Sequence, residues 1–392
     1  MEYGAEFIFP PNDLHNHASC VVELPDGDLF AVWYSGSGER EADDVRIMGS
    51  RRHSGVWSEP FVVADTPGFP DCNPCLAVDS RGHLWLFWPT ILDNHWESAL
   101  LKYKISSDYS DSGRPPNWYT EKVLHVKPGV EFQEAVRNNL EKHWLREASG
   151  RPEEEAGAIL EHCRRIQSMA ESKLSCRLGW MPRAHPLVLE SGRLILPLYS
   201  DGFDFSIMAV TDDWGEHWSF SVPIVGAANI QPALARRKDG TIVAYMRDNG
   251  PPPKRIMISE SADDGMSWTD VSDTELPNPG SGVDVVVLEN GLWALVYNDT
   301  EDGRHSLAVS LSDDEGRTWR WTRHLERDDP GPDAGSYSYP SVVQTKDGVL
   351  HVTYSFAVPK SRLQIENNGR EICETIKHAW FDVEWVIHDS SS

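Results

Sequence analysis

The chain has no run of about eighteen apolar residues, so no membrane-spanning helix and no membrane partner are expected. Cysteine is scarce: six in 392 residues do not make a disulfide scaffold. Positive charge is in deficit, with 36 Lys and Arg against 61 Asp and Glu and a net charge of −25. No basic run interrupts that field, so nucleic acid is not an expected partner. The opening residues Met1-Glu2-Tyr3-Gly4 lack the basic and apolar regions of a signal peptide. With so little Cys, the expectation is a cytoplasmic protein. The phosphate-binding loop, the dinucleotide glycine fingerprint and the Gly-x-Ser-x-Gly elbow are all missing, and no cofactor is expected. What the chain does have is 16 Trp, 29 Gly and 26 Pro. Large flat side chains among many turn residues suit a sheet-rich fold with a sugar-binding surface.

Internal repeats carry the fold assignment. Thr211-Asp-Asp-Trp-Gly-Glu-His-Trp218, Ser261-Ala-Asp-Asp-Gly-Met-Ser-Trp268 and Ser312-Asp-Asp-Glu-Gly-Arg-Thr-Trp319 share one pattern, Ser/Thr-x-Asp-x-Gly-x-x-Trp. Each follows an alternating segment, as in Ser306-Leu-Ala-Val-Ser310. The pattern reads as a hairpin turn: Asp caps backbone N–H groups, Gly takes a positive φ, and Trp returns to the sheet. A second repeat runs through the whole chain. Six short strands enter a Gly turn and return, starting at His17, Asn73, His185, Gln231, Asp284 and Tyr339. Six such antiparallel units predict an all-β fold, a six-bladed β-propeller forming a single domain over residues 1–392. The six starting residues are expected to ring a central cavity. Residues from about 131 to 178 break the pattern and read as helix, an insertion between blades two and three that is expected to cover part of the pocket.

The Asp-box turns and the blade arithmetic are similar to those of the sialidase (neuraminidase) superfamily, in its bacterial-type BNR-repeat branch. The resemblance implies an acidic-sugar glycosidase with three Arg residues on the substrate carboxylate, a Tyr nucleophile assisted by Glu, and an Asp acid/base. On that pattern Arg247, in Tyr245-Met246-Arg247-Asp248, matches the second Arg, and Arg304 the third. Tyr339, in Tyr339-Pro340-Ser341-Val342, matches the nucleophile, and Asp43 or Asp44 the acid/base. Two departures stand out. The first Arg is missing where the chain reads Asn16-His17-Ala18, and the supporting Glu is replaced where it reads Ile230-Gln231-Pro232.

The residue chemistry extends this reading. Arg donates two parallel hydrogen bonds to a carboxylate, and Arg247 and Arg304 belong to adjacent blades, so they are placed to pinch one anion. Pairing with Asp248, Asp284 or Asp302 is the structural alternative. Tyr339 needs a base or a nearby cation to lower its pKa from about 10. Blade six closes on blade one, so His17 is expected beside Tyr339 and able to share its proton. The same pair would serve a lyase acting next to a uronate carboxylate, and a non-catalytic glycan-binding propeller is the third reading. Arg183, His185, Asn73, Gln231 and Asp284 complete the expected substrate-binding set, with Glu39 and Glu41 as further carboxyl candidates. His15, His17, Cys72 and Cys75 have zinc-ligand spacing, yet Asn73-Pro74 fits the strand pattern without metal, and no metal is assigned. The expected partner is an acidic carbohydrate.

Overall fold

The computed structural model describes residues 3–111, 113–363 and 371–389. Six antiparallel sheets form the six blades of a β-propeller. Their innermost strands are His15–Glu23, Cys75–Val78, Leu187–Val188 with the preceding Met181–Pro182, Asn229–Arg236, Asp284–Val287 and Ser336–Gln344. In each blade the chain then steps outward. The last blade is completed from the other end of the sequence: Gly4–Phe7 pairs with Ile372–Phe381 as its outermost strand. This closure shares blade six between both ends of the described chain.

Every blade turns its first hairpin in the same register. The closing pairs are Glu23↔Leu29, Val78↔Leu84, Val188↔Leu194, Arg236↔Ile242, Val287↔Trp293 and Gln344↔Leu350. Counting back five residues from these pairs reaches Ala18, Asn73, Arg183, Gln231, Gly282 and Tyr339. Counting back three reaches Cys20, Cys75, His185, Ala233, Asp284 and Ser341. The single ring expected from sequence is therefore two layers. His185 and Asp284 lie one strand repeat deeper than Asn73, Gln231 and Tyr339, and His17 precedes its layer by one residue.

The upper layer is built on bent backbone. Ala18, Asn73, Gln231 and Tyr339 have φ of 54°, 41°, 55° and 54°. The ladder slips between His17 and Cys20, Ile230 and Ala233, and Ser338 and Ser341. A bulge re-aims one side chain and stores local strain, a combination common beside functional sites. Pro232 and Pro340 sit inside these bulges, where no ladder N–H is called for, rather than at the strand starts expected from sequence.

The Asp-box turns form as expected. Asp263 accepts the Met266 and Ser267 N–H groups at 3.1 and 2.8 Å, and Asp314 does the same for Arg317 and Thr318. Two successive residues are left-handed in each box, Trp214-Gly215, Asp264-Gly265 and Glu315-Gly316. The first and third boxes lean on the preceding blade: the Tyr103 hydroxyl donates to the Gly215 carbonyl at 3.0 Å and Tyr245 to Gly316 at 3.1 Å. The insertion folds as two helices, α1 (Phe132–Ala148) and α2 (Glu153–Glu171). Pro152 occupies the cap of α2, and the acidic run Glu153-Glu154-Glu155 faces the helix N-terminus. Phe132 of α1 packs edge-on against Phe203 and Trp180, which fixes the insertion to blade three. Among the described residues no helix is long and apolar enough to cross a membrane.

Candidate functional site

Tyr339 is the centre of the upper layer. Its bulged, left-handed backbone turns the ring into the axis, where only 9% of the residue stays exposed. The phenolic oxygen accepts the Arg247 Nη1–H at 2.9 Å and the Gln231 Nε2–H at 3.2 Å. The Arg304 guanidinium stands 5.3 Å from the ring centroid, and Arg183 lies 4.9 Å from it. Burial pushes the Tyr339 phenol up, but Arg247, Arg304 and the Gln231 amide outweigh it and bring the group below its ordinary value. Gln231 thus acts as a hydrogen-bond donor that favours the phenolate form.

Arg247 and Arg304 are half-buried, and among the described residues neither has a carboxylate within ion-pair distance. The structural alternative fails at each acid. Asp248 caps the Gly250 and Arg255 N–H groups, Asp284 holds His185, and Asp302 caps Gly303. Arg247 bonds instead to Asn249 Oδ1 at 3.0 Å, Arg304 to the Gly280 carbonyl at 3.1 Å, and the buried Nε of Arg247 has no partner.

His17 meets Tyr339 edge-to-face with ring centroids 4.4 Å apart. The expected neighbours are together, as a ring contact. Burial first, then the charges of His15, Arg304, Arg183 and Arg247, push the His17 imidazole well below its ordinary pKa and keep it neutral. Around this centre, Asn73 donates to the Tyr199 hydroxyl at 3.2 Å, and Tyr34 donates to Glu39 at 2.9 Å.

The carboxyl groups differ from expectation. Asp43 and Asp44 are exposed and serve the loop: Asp44 accepts Ser37 N–H at 3.0 Å, and Asp43 accepts Asn94 at 3.1 Å. Glu41 is exposed as well. The acid that the Tyr339 cluster feels is Asp201, which the sequence reading did not single out. It follows Tyr199 at the end of the second strand of blade three. Burial raises its carboxyl to about 6 although Arg247 pulls the other way. The usable signal was positional: Asp201 directly follows a second strand, and Arg247 is the last residue but one of another.

Arg183 occupies the layer position equivalent to Tyr339, but it points its guanidinium across the axis. It donates to the Ser19 carbonyl of blade one at 3.2 Å and the Pro340 carbonyl of blade six at 3.0 Å. His185 crosses one layer below, 2.9 Å from Asp284 Oδ2 and 2.8 Å from the Val21 carbonyl. Burial opposes a charge on His185, but Cys20 and Asp284 outweigh it and raise its pKa. His185 and Asp284 therefore tie blades together beneath the site, while Arg183 stays beside the Tyr339 ring with its guanidinium committed to the Ser19 and Pro340 carbonyls. A cavity of about 380 Å³ reaches His185 and Asp284 from the hairpin side. The zinc alternative does not assemble: His15 pairs with Glu374 at 2.9 Å and the Cys75 thiol donates to the Ala184 carbonyl at 2.9 Å. Among the described residues no cluster of His, Cys, Asp or Glu is arranged to hold a metal.

Several comparisons place this geometry. A family model described as a BNR repeat-like domain matches residues 27–150 and 174–352. The anhydrosialidase of Macrobdella decora is 22% identical over 190 residues, covering 42% of this chain and 23% of that protein, so the matched region spans under a quarter of the relative's length. A protein of unknown function from Dyadobacter fermentans has a similar fold, with a TM-score of 0.67, 14% identity and coverage of 96% and 97% of the two chains. The intramolecular trans-sialidase of Ruminococcus gnavus gives a TM-score of 0.66 at 13% identity, over 95% of both chains. The Trypanosoma rangeli sialidase gives 0.66 at 12% identity, over 99% of this chain and 61% of that one. With Asp-boxes at the hairpins, six blades and a family model matching most of its length, the chain belongs to the BNR repeat-like family within the sialidase superfamily.

Proposed function

We propose that the protein hydrolyses the glycosidic bond of a terminal acidic sugar. The observation that carries this reading is the convergence of two guanidinium groups, unpaired with any described carboxylate, on one buried tyrosine in an otherwise acidic chain. Arg247 and Arg304 bind the sugar carboxylate. Tyr339, held toward its phenolate by the same charges, forms the bond to the anomeric carbon as the glycosidic C–O bond breaks. Asp201, protonated near pH 6, gives its proton to the leaving oxygen and then takes one from the water that displaces Tyr339. The sialidase folds among the structural neighbours make sialic acid the first substrate to try.

The test is release of monosaccharide from a panel of acidic oligosaccharides by wild type and Arg247→Ala. Removing one partner of a charge-assisted contact costs about 2 kcal/mol or more, so at least a ~30-fold loss is expected. Equal activity of the two proteins would overturn the assignment. A second reading rests on His17, which is neutral and lies against Tyr339. In a lyase this imidazole would remove the proton beside a uronate carboxylate, and the unsaturated product would absorb in the near ultraviolet.

A further inference from the structure

We infer that His162, on the inserted helix α2, is a positioning residue that holds Arg247 against Tyr339 through Asp204 and Asn249. The inference rests on the reading of Arg247 as the anion-binding residue, and it follows one close approach and three hydrogen bonds. His162 Nε2 stands 3.0 Å from Asp204 Oδ2. The ring N–H is not aimed along that line, so this is a close polar approach and not an aligned hydrogen bond. Asp204 Oδ1 accepts Asn249 Nδ2–H at 3.1 Å, Asn249 Oδ1 accepts Arg247 Nη2–H at 3.0 Å, and Arg247 Nη1–H reaches the Tyr339 oxygen at 2.9 Å. No other side-chain bond to Arg247 restrains its outer end among the described residues, and its Nε is unpartnered.

The insertion also fixes both ends of this relay. On the helical side, His162 packs edge-on against Trp144 of α1 at 4.9 Å, and Arg165 lies 3.3 Å from its Nδ1. On the blade side, Asp204 has a left-handed φ of 54° and its N–H closes a turn on the Ser200 carbonyl at 2.8 Å. A side chain at Gly202 would run into Met169 of α2 at 2.9 Å and Glu97 at 2.8 Å, so helix and blade-three loop are in close apposition. Phe132 clamps the same loop through Phe203. The insertion thereby acts on the site from behind, through the arginine.

The test reads Tyr339 directly and needs no substrate. Tyr339 faces Arg247, Arg304, Arg183, His17 and Asp201, and its phenolate absorbance is obtained as the difference between each protein and its Tyr339→Phe counterpart. An opposite charge within reach lowers such a pKa by one unit or more, so freeing Arg247 is expected to move the titration up by ~1 pH unit. His162→Ala and Asn249→Ala should both show that shift with an unchanged melting temperature, and His162→Gln, which keeps a polar side chain beside Asp204, should recover part of it. An unchanged Tyr339 titration in folded His162→Ala overturns the inference. Binding of N-acetylneuraminic acid, measured by calorimetry on the same proteins, separates the two claims. If wild type does not bind it but the titration still moves, the relay stands and the acidic-sugar reading fails. If wild type and His162→Ala bind it equally while Arg247→Ala does not, the relay fails and the reading stands.

Discussion

Tyr339 feels the charge of Asp201, and the shifts of the two groups run in opposite directions. Asp201 is raised from 3.8 to about 6 in the folded chain, so folding favours its protonated form. Its ionisation therefore costs stability as pH rises from about 4 through about 6, and no such cost exists below about 4. Asp201→Asn should raise the melting temperature at pH 8, leave it nearly unchanged at pH 4, and remove most of the hydrolytic activity. In wild type, activity that depends on the acid should fall as pH climbs through about 6. The tyrosine was legible because Tyr339-Pro340 shares its frame with Asn73-Pro74 and Gln231-Pro232. The proposed acid was not, because Asp201 lies in a loop with no repeat partner, while the conspicuous Asp43-Asp44 pair lies exposed, bonded to Asn94 and Ser37.

Among the elements, the Asp-box hairpins are the clearest case of sequence dictating shape. Their Gly residues are required twice over at Gly316, which has a φ of 78° and whose added methyl would collide with the Tyr245 hydroxyl and the Trp293 ring. Gly316→Ala should destabilise the protein by about 2 kcal/mol, measured by denaturant unfolding, through strain and the lost latch between blades four and five. The inner strands were harder to read. Their hairpin turns announce themselves through Gly27, Gly82, Gly192, Gly240, Gly291 and Gly348, all with positive φ. The bulges upstream leave no such mark. A one- or two-residue slip exchanges layers of a channel, which is how His185 and Asp284 came to be grouped with Tyr339. The insertion was visible as helix, but its route to the arginine depends on Asn249 and Asp204, two polar loop residues of ordinary appearance.

For the molecule as a whole, closure is the feature composition hides: nothing in Gly4-Ala5-Glu6-Phe7 shows that it belongs to the last blade. Glu6 joins His378 at 3.3 Å and Arg52 of blade one at 3.0 Å, so this strand fastens the ring at its seam. Deleting residues 1–7 should lower the melting temperature and open blade six to proteolysis. The seam is also sensitive to acid. His351 donates to or accepts from His378 at 2.9 Å, and burial, then the His378 and Arg52 charges, depress it to about 3. Its share of stability is full above pH 6.5 and is lost as pH falls from there toward 3. His351→Gln should therefore shift the acid-unfolding midpoint to lower pH. At the hub, Arg183 and His185 reach over the axis from blade three to blades one, five and six. They make the passage a cul-de-sac. A polymer cannot be threaded through it, and whatever arrives must back out by the doorway it used, so the freed monosaccharide should compete with incoming substrate for as long as it lingers.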